Sequence, residues 1–129
     1  MEIARIDHLV LTVTDIDATA TFYSHLGFRP VTFGGGRVGL QLGEQKINLH
    51  LKDHEFQPAA RRPTPGSADI CLLLATPLEA ALVDLASAGI TVENGPVDRT
   101  GALGPIRSVY VRDPDGNLVE LSEPTGSRQ

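Results

Sequence analysis

An internal repeat constrains the fold of this chain more than any other feature of its sequence. Residues 6–13 (Ile-Asp-His-Leu-Val-Leu-Thr-Val) and residues 68–75 (Ala-Asp-Ile-Cys-Leu-Leu-Leu-Ala) are both rich in side chains that favour strands. A stretch that predicts a helix follows each run, and the two helices end at Gly27 and Gly89, which lie 62 positions apart. The repeat therefore predicts two similar units, each of which begins with a strand and a helix.

Three further strands are predicted after each helix. They cover residues 29–33, 37–42 and 46–51 in the first half, and residues 91–94, 106–112 and 118–122 in the second half. The expected fold class is α+β, with two βαβββ modules that form a curved mixed sheet in a single domain, 1–129. We expect module one at about 4–52, a linker rich in proline at about 53–67 and module two at about 68–123.

Local signals predict how the helices and connections are built. Asp15 or Asp17 is expected to cap the first helix. Residues 76–79 (Thr-Pro-Leu-Glu) have the form of a capping box with proline at the first helical position. Residues 95–105 contain three glycines and two prolines, which predicts a long loop. Residues 113–117 (Asp-Pro-Asp-Gly-Asn) are a strong turn signal between the last two strands.

Composition excludes several classes of function. The 129 residues include 16 acidic and 11 basic side chains, for a net charge of −5, and nucleic-acid binding requires a basic surface. The single cysteine, Cys71, excludes an intrachain disulfide and fits a reducing cytosol. The longest strongly apolar run, residues 70–75, is too short to span a membrane, and residues 1–5 do not resemble a signal peptide. We expect a cytoplasmic protein whose partners are neither nucleic acids nor membranes.

A polar pattern on four predicted strands suggests a metal site. Alternation places the apolar residues of these strands under the helices, and it places four metal-binding side chains on the opposite faces: His8, His50, Asp69 and Glu120. If both units share one concave sheet, these side chains converge. Two imidazoles and a carboxylate form an open divalent site of the facial type, whereas closed structural zinc sites usually contain several thiolates.

Each residue of this set also has a simpler interpretation. His8 or His50, taken alone, is more often a surface residue or a hydrogen-bonded core residue than a ligand. Glu120 has the alternative role of an exposed cross-strand charge, and Asp69 follows a Gly-Ser-Ala stretch in which it could cap a turn. The spacing along the chain matches no local metal motif, so the prediction depends on the fold.

Three stretches of the chain resemble the vicinal oxygen chelate superfamily, which includes glyoxalase I, fosfomycin-resistance proteins and type I extradiol dioxygenases. They are residues 6–13, residues 22–28 (Phe-Tyr-Ser-His-Leu-Gly-Phe) and residues 113–121 (Asp-Pro-Asp-Gly-Asn-Leu-Val-Glu-Leu). The resemblance covers about residues 4–123. Residues 47–50, 62–69 and 95–106 look most like the glyoxalase-domain-containing-5 and virulence-associated subgroup.

The resemblance implies a ligand set. Carried over residue by residue, the family's ligand positions fall on His8, His50, Asp69 and Glu120. Many members have histidine where this chain has Asp69, so the expected metal ligands are His8, His50 and Glu120, with Asp69 orienting an imidazole or acting as a base. One divalent ion per site is implied, and Zn, Ni, Mn, Fe and Co all suit these ligands. The resemblance also implies a homodimer.

The function implied by the resemblance is a glyoxalase-like lyase or isomerase step on a small oxygenated metabolite. The substrate would chelate the metal through two oxygens, and the metal would stabilise an oxyanion or enolate. Glu120 and Asp69 are the candidate bases. Arg99 and Arg107, with Tyr110, are candidates for binding an anionic substrate. The alternatives are an Fe(II) extradiol-type dioxygenase, a thiol transferase of the fosfomycin-resistance kind and a non-catalytic ligand-binding or resistance protein.

Overall fold

The computed structural model describes residues 1–126, in which the chain divides into two compact units. The first unit is Met1–Ser67 and the second begins at Ala68. Each unit contains one ten-residue helix, and in the described part of the chain no helix has the length and apolar character needed to cross a membrane. That the two units belong to a single domain stays a prediction.

The first unit has the predicted order βαβββ. Its elements are β1 (His8–Val13), α1 (Ile16–His25), β2 (Arg29–Phe33), β3 (Arg37–Leu42) and β4 (Gln45–Leu51). The strand order in the sheet is β1-β4-β3-β2, with β1 parallel to β4 and the other pairs antiparallel. The first strand therefore lies beside the last strand of its own unit.

The second unit repeats this arrangement. Its elements are β5 (Asp69–Leu73), α2 (Leu78–Ser87), β6 (Asn94–Gly101), β7 (Gly104–Arg112) and β8 (Leu118–Pro124). The strand order is β5-β8-β7-β6, and β5 is parallel to β8. The predicted α+β fold of two βαβββ modules is confirmed.

Each unit buries one face of its sheet. In the first unit Val13, Leu49 and Tyr23 of α1 are almost completely buried, and the ring of Tyr23 meets the ring of Phe28 edge to face at 5.5 Å. In the second unit the fully buried apolar residues of the sheet include Val109, Val111 and Val119. Because side chains alternate along a strand, the residues between these apolar positions point to the other face.

The predicted helix starts are correct for α1 and wrong for α2. Asp15 caps α1, since its Oδ1 accepts a hydrogen bond from the backbone N–H of Ala18 at 2.9 Å. Pro77 precedes α2 without a side-chain cap, so the expected capping box does not form. Glu123 of β8 replaces it and accepts a hydrogen bond from the N–H of Leu78 at 3.0 Å. A carboxylate 45 positions away in the chain thus binds the N-terminus of α2, where a negative charge is stabilising.

The predicted long loop over 95–105 is also wrong. Residues Asn94–Gly101 form β6, which pairs with β7 as a hairpin, whereas a strand was expected only over 91–94. β6 is an edge strand, where a proline such as Pro96 removes no necessary hydrogen bond, and its register shifts between Asn94 and Val97. Pairing with β7 therefore overrides a local composition that is typical of a loop.

The predicted turn over 113–117 is confirmed, and it also fixes the start of β5. Oδ1 of Asp113 accepts hydrogen bonds from the N–H groups of Asp115 and Asn117, at 3.0 and 2.9 Å. Oδ1 of the buried Asn117 accepts a hydrogen bond from the N–H of Ala68 at 2.8 Å. The residue just before Asp69 is therefore held to the turn that precedes β8.

Replacing Gly95 should destabilise the protein more than replacing Gly104, although both have positive φ. A Cβ at Gly95 would lie 2.4 Å from the carbonyl oxygen of Ser108, whereas a Cβ at Gly104 would meet nothing within 4 Å. We expect Gly104→Ala to lower the free energy of unfolding by about 1–3 kcal/mol through backbone strain, and Gly95→Ala to lower it further. Urea unfolding followed by circular dichroism measures both, and equal midpoints would contradict the close approach.

Candidate functional site

His8 and Asp7 form a hydrogen-bonded pair at the start of β1. Nδ1 of His8 lies 2.8 Å from Oδ2 of Asp7, and both side chains are exposed. The hydrogen bond to the imidazole lowers the pKa of Asp7 below its ordinary value. When Nδ1 carries the proton that Asp7 accepts, Nε2 keeps its lone pair. A carboxylate that orients an imidazole in this way is typical of histidine ligands in metal sites.

His50 lies in a different environment, on β4. Its ring is buried and meets the ring of Phe56 edge to face at 5.5 Å. The guanidinium of Arg37 lies over the same Phe56 ring, 4.2 Å from its centre. Burial, and next the positive charge of Arg37, lower the pKa of His50. The imidazole is therefore neutral near pH 7, which is the form that binds metals.

The sheet of the first unit does not bring His8 and His50 together. In the parallel pairing of β1 with β4, His8 lies opposite Lys46 and His50 lies opposite Thr12. The two histidines are thus offset by four residues, or roughly 13 Å along the strands at about 3.3 Å per residue. Side chains that stand perpendicular to a sheet keep such a separation, whereas two nitrogens on one ion lie within about 4 Å of each other.

Glu120 of β8 is held by buried hydroxyl groups. Ser108 of β7 donates a hydrogen bond to Oε2 of Glu120 at 2.6 Å, and the Oγ atoms of Ser108 and Ser122 are 2.7 Å apart. Both serines are fully buried. Sγ of Cys71, on the neighbouring β5, lies 3.3 Å from Oγ of Ser122. The serine hydroxyl groups reach the carboxylate through Oε2, and among residues 1–126 no hydrogen bond to Oε1 is found, so its lone pairs are left for another partner.

Asp69 and Cys71 flank this cluster on β5. Asp69 is exposed and lies opposite Leu118, while Cys71 lies directly opposite Glu120. Burial raises the pKa of the Cys71 thiol, although the hydrogen bond with Ser122 opposes this effect. Asp69 is close enough to Arg112 to contribute to the raised pKa of that guanidinium, whose main cause is the hydrogen bonding to Glu93. The thiol is therefore protonated near neutral pH, and it can donate to Ser122.

Arg99 and Tyr110 lie together on the polar face of the second unit. Nε of Arg99 donates a hydrogen bond to the Tyr110 hydroxyl at 2.9 Å, and Tyr110 lies opposite Glu120 across the β7–β8 pair. Arg107 occupies the other face of β7, where it forms an ion pair with Glu79 of α2 at 3.1 Å. Two of the three predicted substrate-binding residues thus share a face with Glu120, and Arg107 does not.

The pairing registers of the two units identify a position that the sequence analysis missed. Asp69 is the first residue of β5, and Glu120 lies opposite the position two residues further along that strand. In the same way, His8 is the first residue of β1, and Asn48 lies opposite the position two residues further along. Asn48 is therefore the counterpart of Glu120 in the first unit, just as His8 is the counterpart of Asp69. The only signal in the sequence was that Asn48 alternates with His50 on one face.

Asn48 also has an unsatisfied polar atom. Its Oδ1 is buried and has no hydrogen-bond partner within the described part of the protein. Gly39, opposite Asn48 on β3, makes room for this amide, because a Cβ there would lie only 3.2 Å from Oδ1, closer than an ordinary van der Waals contact. A buried acceptor without a partner is costly, so it is expected to meet a bound donor or cation.

The polar faces of the two sheets carry residue types that bind divalent metal ions. Among residues 1–126, no group of three or more His, Cys, Asp or Glu side chains is placed to hold an ion. The donor types nevertheless fit a divalent ion: within the described part of the chain, Nε2 of His8, Oε1 of Glu120 and Oδ1 of Asn48 have no hydrogen-bond partner.

The chain is similar to proteins of known families over almost its whole length. It is 56% identical to virulence protein STM3117 of Salmonella typhimurium over 124 residues, which are 95% of this chain and 86% of that protein. It is 52% identical to glyoxalase domain-containing protein RDO1 of Mycosarcoma maydis over 122 residues, which are 95% of this chain and 69% of that protein.

Solved protein structures also superpose on this chain over almost its whole length. The crystal structure of STM3117 superposes with a TM-score of 0.95 and covers 97% of this chain and 100% of that chain, at 55% identity. A lactoylglutathione lyase from Agrobacterium tumefaciens superposes with a TM-score of 0.73 and covers 95% and 96% of the two chains, at 25% identity. The model of the glyoxalase/bleomycin resistance protein/dioxygenase superfamily matches residues 5–121. This chain therefore belongs to that superfamily.

Proposed function

We propose that this protein is a divalent-metal-dependent enzyme that acts on a small oxygenated metabolite bound through two adjacent oxygens. The observation that carries the proposal is the state of Glu120, whose carboxylate is anchored through Oε2 by Ser108 while Oε1 remains available. The buried hydroxyl groups hold this carboxylate in one orientation on a polar face, as a metal ligand requires. Membership of a superfamily whose members commonly use divalent metals supports the same conclusion.

The proposed ligands are His8 and Glu120, with a third from β4. Asp7 orients the imidazole of His8, so that Nε2 is the nitrogen available to the ion. A bound divalent ion would act as a Lewis acid that stabilises negative charge on a substrate oxygen. Asp69 is exposed and occupies the position equivalent to His8, so it is available either as a further ligand or as the base that removes a proton.

His50 and Asn48 are the two candidates for the third ligand. His50 is the ligand predicted from the resemblance, and its lowered pKa suits metal binding. Asn48 is offset from His8 by only two residues of register, roughly 7 Å along the strands, and its Oδ1 has no partner. The geometry of the first unit therefore favours Asn48 as the residue that shares an ion with His8, and it leaves His50 packed against Phe56.

Arg99 and Tyr110 are proposed to bind an anionic group of the substrate. They are hydrogen-bonded to each other and lie on the face that carries Glu120. Nη1 of Arg99 donates to the carbonyl oxygen of Asp98, which leaves the remaining N–H groups for a carboxylate or phosphate. That Arg107 also contacts the substrate stays a prediction, because its guanidinium is occupied by Glu79.

The class of reaction is proposed to be a lyase or isomerase step of the glyoxalase type. The likeness to a lactoylglutathione lyase at 25% identity supports this class. A cytoplasmic homodimer is proposed as well, because proteins of this superfamily are often dimers and the composition suits a reducing compartment.

Removing either proposed ligand should weaken metal binding. We expect untagged protein to bind one divalent ion per chain, and His8→Ala and Glu120→Ala each to lower the affinity by more than about 100-fold, because residues that only orient ligands already change it by 10–100-fold. Equilibrium dialysis with Ni²⁺, Mn²⁺, Fe²⁺, Co²⁺ and Zn²⁺ followed by elemental analysis measures the affinity. His25→Ala, at the exposed end of α1, is the control and should bind like the wild type.

If the wild type binds none of these ions, the metal-dependent function is wrong and a ligand-binding or resistance role replaces it. If it binds an ion with unchanged affinity in both variants, the ligand assignment fails. Oxygen uptake with catechols by the Fe²⁺-loaded protein would instead support the dioxygenase alternative.

Substituting the two candidates on β4 distinguishes the third ligand. We expect Asn48→Ala to lower the metal affinity more than His50→Ala, because of its register with His8 and its unpartnered oxygen. The same dialysis measurement compares the two variants, with unfolding midpoints recorded so that loss of the buried His50 ring is not mistaken for loss of a ligand. A larger effect for His50→Ala would restore the original ligand set.

The binding of an anionic chelator to the metal-loaded protein should depend on Arg99. Oxalate offers two adjacent oxygens and a negative charge, so we expect it to bind the metal-loaded protein and Arg99→Gln to weaken that binding by about tenfold, as for loss of one charge-assisted hydrogen bond at an exposed position. Titration calorimetry measures the affinity, and Arg29→Gln on the exposed β2 is the control. Equal weakening by both variants would point to a general effect of net charge.

A further inference from the structure

The buried hydroxyl groups around Glu120 have a defined direction. Each serine hydroxyl carries one proton, and Ser108 donates its proton to Oε2 of Glu120 at 2.6 Å. Ser108 must then act as the acceptor in its 2.7 Å contact with Ser122. Ser122 also lies 3.3 Å from Oε2, but its single proton satisfies the shorter contact with Ser108 better.

The thiol of Cys71 is the first donor of this series of hydrogen bonds. Ser122 donates to Ser108, so it accepts in its 3.3 Å contact with Sγ of Cys71. A thiol carries one proton, which it can donate in this contact. Every donor in the series therefore points toward the carboxylate: Cys71 to Ser122, Ser122 to Ser108, and Ser108 to Glu120. Hydrogen bonds aligned in one direction polarise one another, which strengthens the last bond in the series.

From this arrangement we infer that Ser108 is a positioning residue, whose hydroxyl holds Oε2 of Glu120 so that Oε1 is presented to the bound cation. The inference rests on the proposed function. Ser108 acts through Glu120 and touches neither ion nor substrate.

The strands make this contact rigid. Ser108 lies opposite Ser122 in the antiparallel pairing of β7 with β8, and Glu120 is the next residue of β8 on the same face. Both serines have no exposed surface, so water cannot replace the missing hydroxyl easily if one is removed. The backbone near Ser108 is also closely packed, because a Cβ at Gly95 would lie 2.4 Å from its carbonyl oxygen. The Oγ of Ser108 is therefore held in place without help from a ligand.

A simpler role for Ser108 is to satisfy Ser122 as a buried polar pair. The two roles differ in what happens to the cation. A buried pair affects only stability, whereas a positioning hydroxyl affects the affinity for metal and the geometry of the bound ion. The bond to Ser108 also disfavours rotation of the carboxylate, so its loss should allow Glu120 to bind the ion through either oxygen or to turn away.

Titration with Co²⁺ tests the inference, since the visible absorption of the bound ion reports on its ligands. We expect Ser108→Ala to lower the Co²⁺ affinity by about 10–100-fold, the range for residues that orient a ligand, and to shift the absorption bands. Ser108→Thr retains the hydroxyl and should restore most of the affinity. Ser87→Ala, at the exposed end of α2, is the matched control and should change neither quantity.

A double-mutant cycle shows whether Ser108 acts through Glu120. In the Glu120→Gln background, Ser108→Ala should reduce the remaining affinity by less than about twofold, because the interaction that it removes is already altered. Equal effects of Ser108→Ala in the two backgrounds would overturn the inference. Chemical unfolding of each variant records stability, and if Ser108→Ala does not fold, Ser122→Ala interrupts the same series one step earlier and should lower the affinity by a smaller factor.

The outcomes separate the two proposals. If the wild type binds Co²⁺ and Ser108→Ala binds it equally well with the same spectrum, the positioning role is wrong while the metal-dependent function stands. If the wild type binds no Co²⁺ or any other divalent ion tested, both are wrong.

Discussion

The parallel pairing of the first and last strands within each unit sets the positions of the candidate metal ligands. In each sheet the first residue of the first strand is offset by two residues of register from a polar residue of the last strand. These pairs are His8 with Asn48 and Asp69 with Glu120. A shift of the pairing by one residue would move these polar groups to the buried face and break the apolar core. The packing that stabilises each unit therefore also sets the positions of the candidate ligands.

The surroundings of these residues differ in ways that matter for chemistry. His8 is exposed and oriented by a single carboxylate, whereas His50 is buried against Phe56 and has a lowered pKa. Glu120 has one carboxylate oxygen anchored by buried hydroxyl groups, and its other oxygen is available. Pre-organised groups of this kind are what a metal or substrate site requires, because orienting them at the moment of binding would cost free energy.

Several features followed from local physical rules and were predicted from the sequence. The strand-helix repeat, the Asp15 cap and the turn over 113–117 depend on periodicity and on side chains that bond to their own backbone. The predictions for β6 and for the start of α2 failed for the opposite reason. Pairing with β7 orders the chain over 94–101, and Glu123, distant in sequence, binds the N-terminus of α2. Neither partner can be identified from neighbouring residues.

The arrangement of the candidate site residues was likewise only partly predictable from the sequence. Alternation along the strands was enough to place His8, His50, Asp69 and Glu120 on polar faces, since the side-chain period of a strand depends only on backbone geometry. The relative register of the strands was not contained in that period, and it is the register that offsets His50 from His8 by four residues and puts Asn48 in the position equivalent to Glu120. The sequence by itself thus determined the repeated fold, the faces and the kinds of ligand. Only the tertiary structure decided which of them are neighbours and that Ser108 holds Glu120, because hydrogen bonds between strands depend on pairing that no local pattern records.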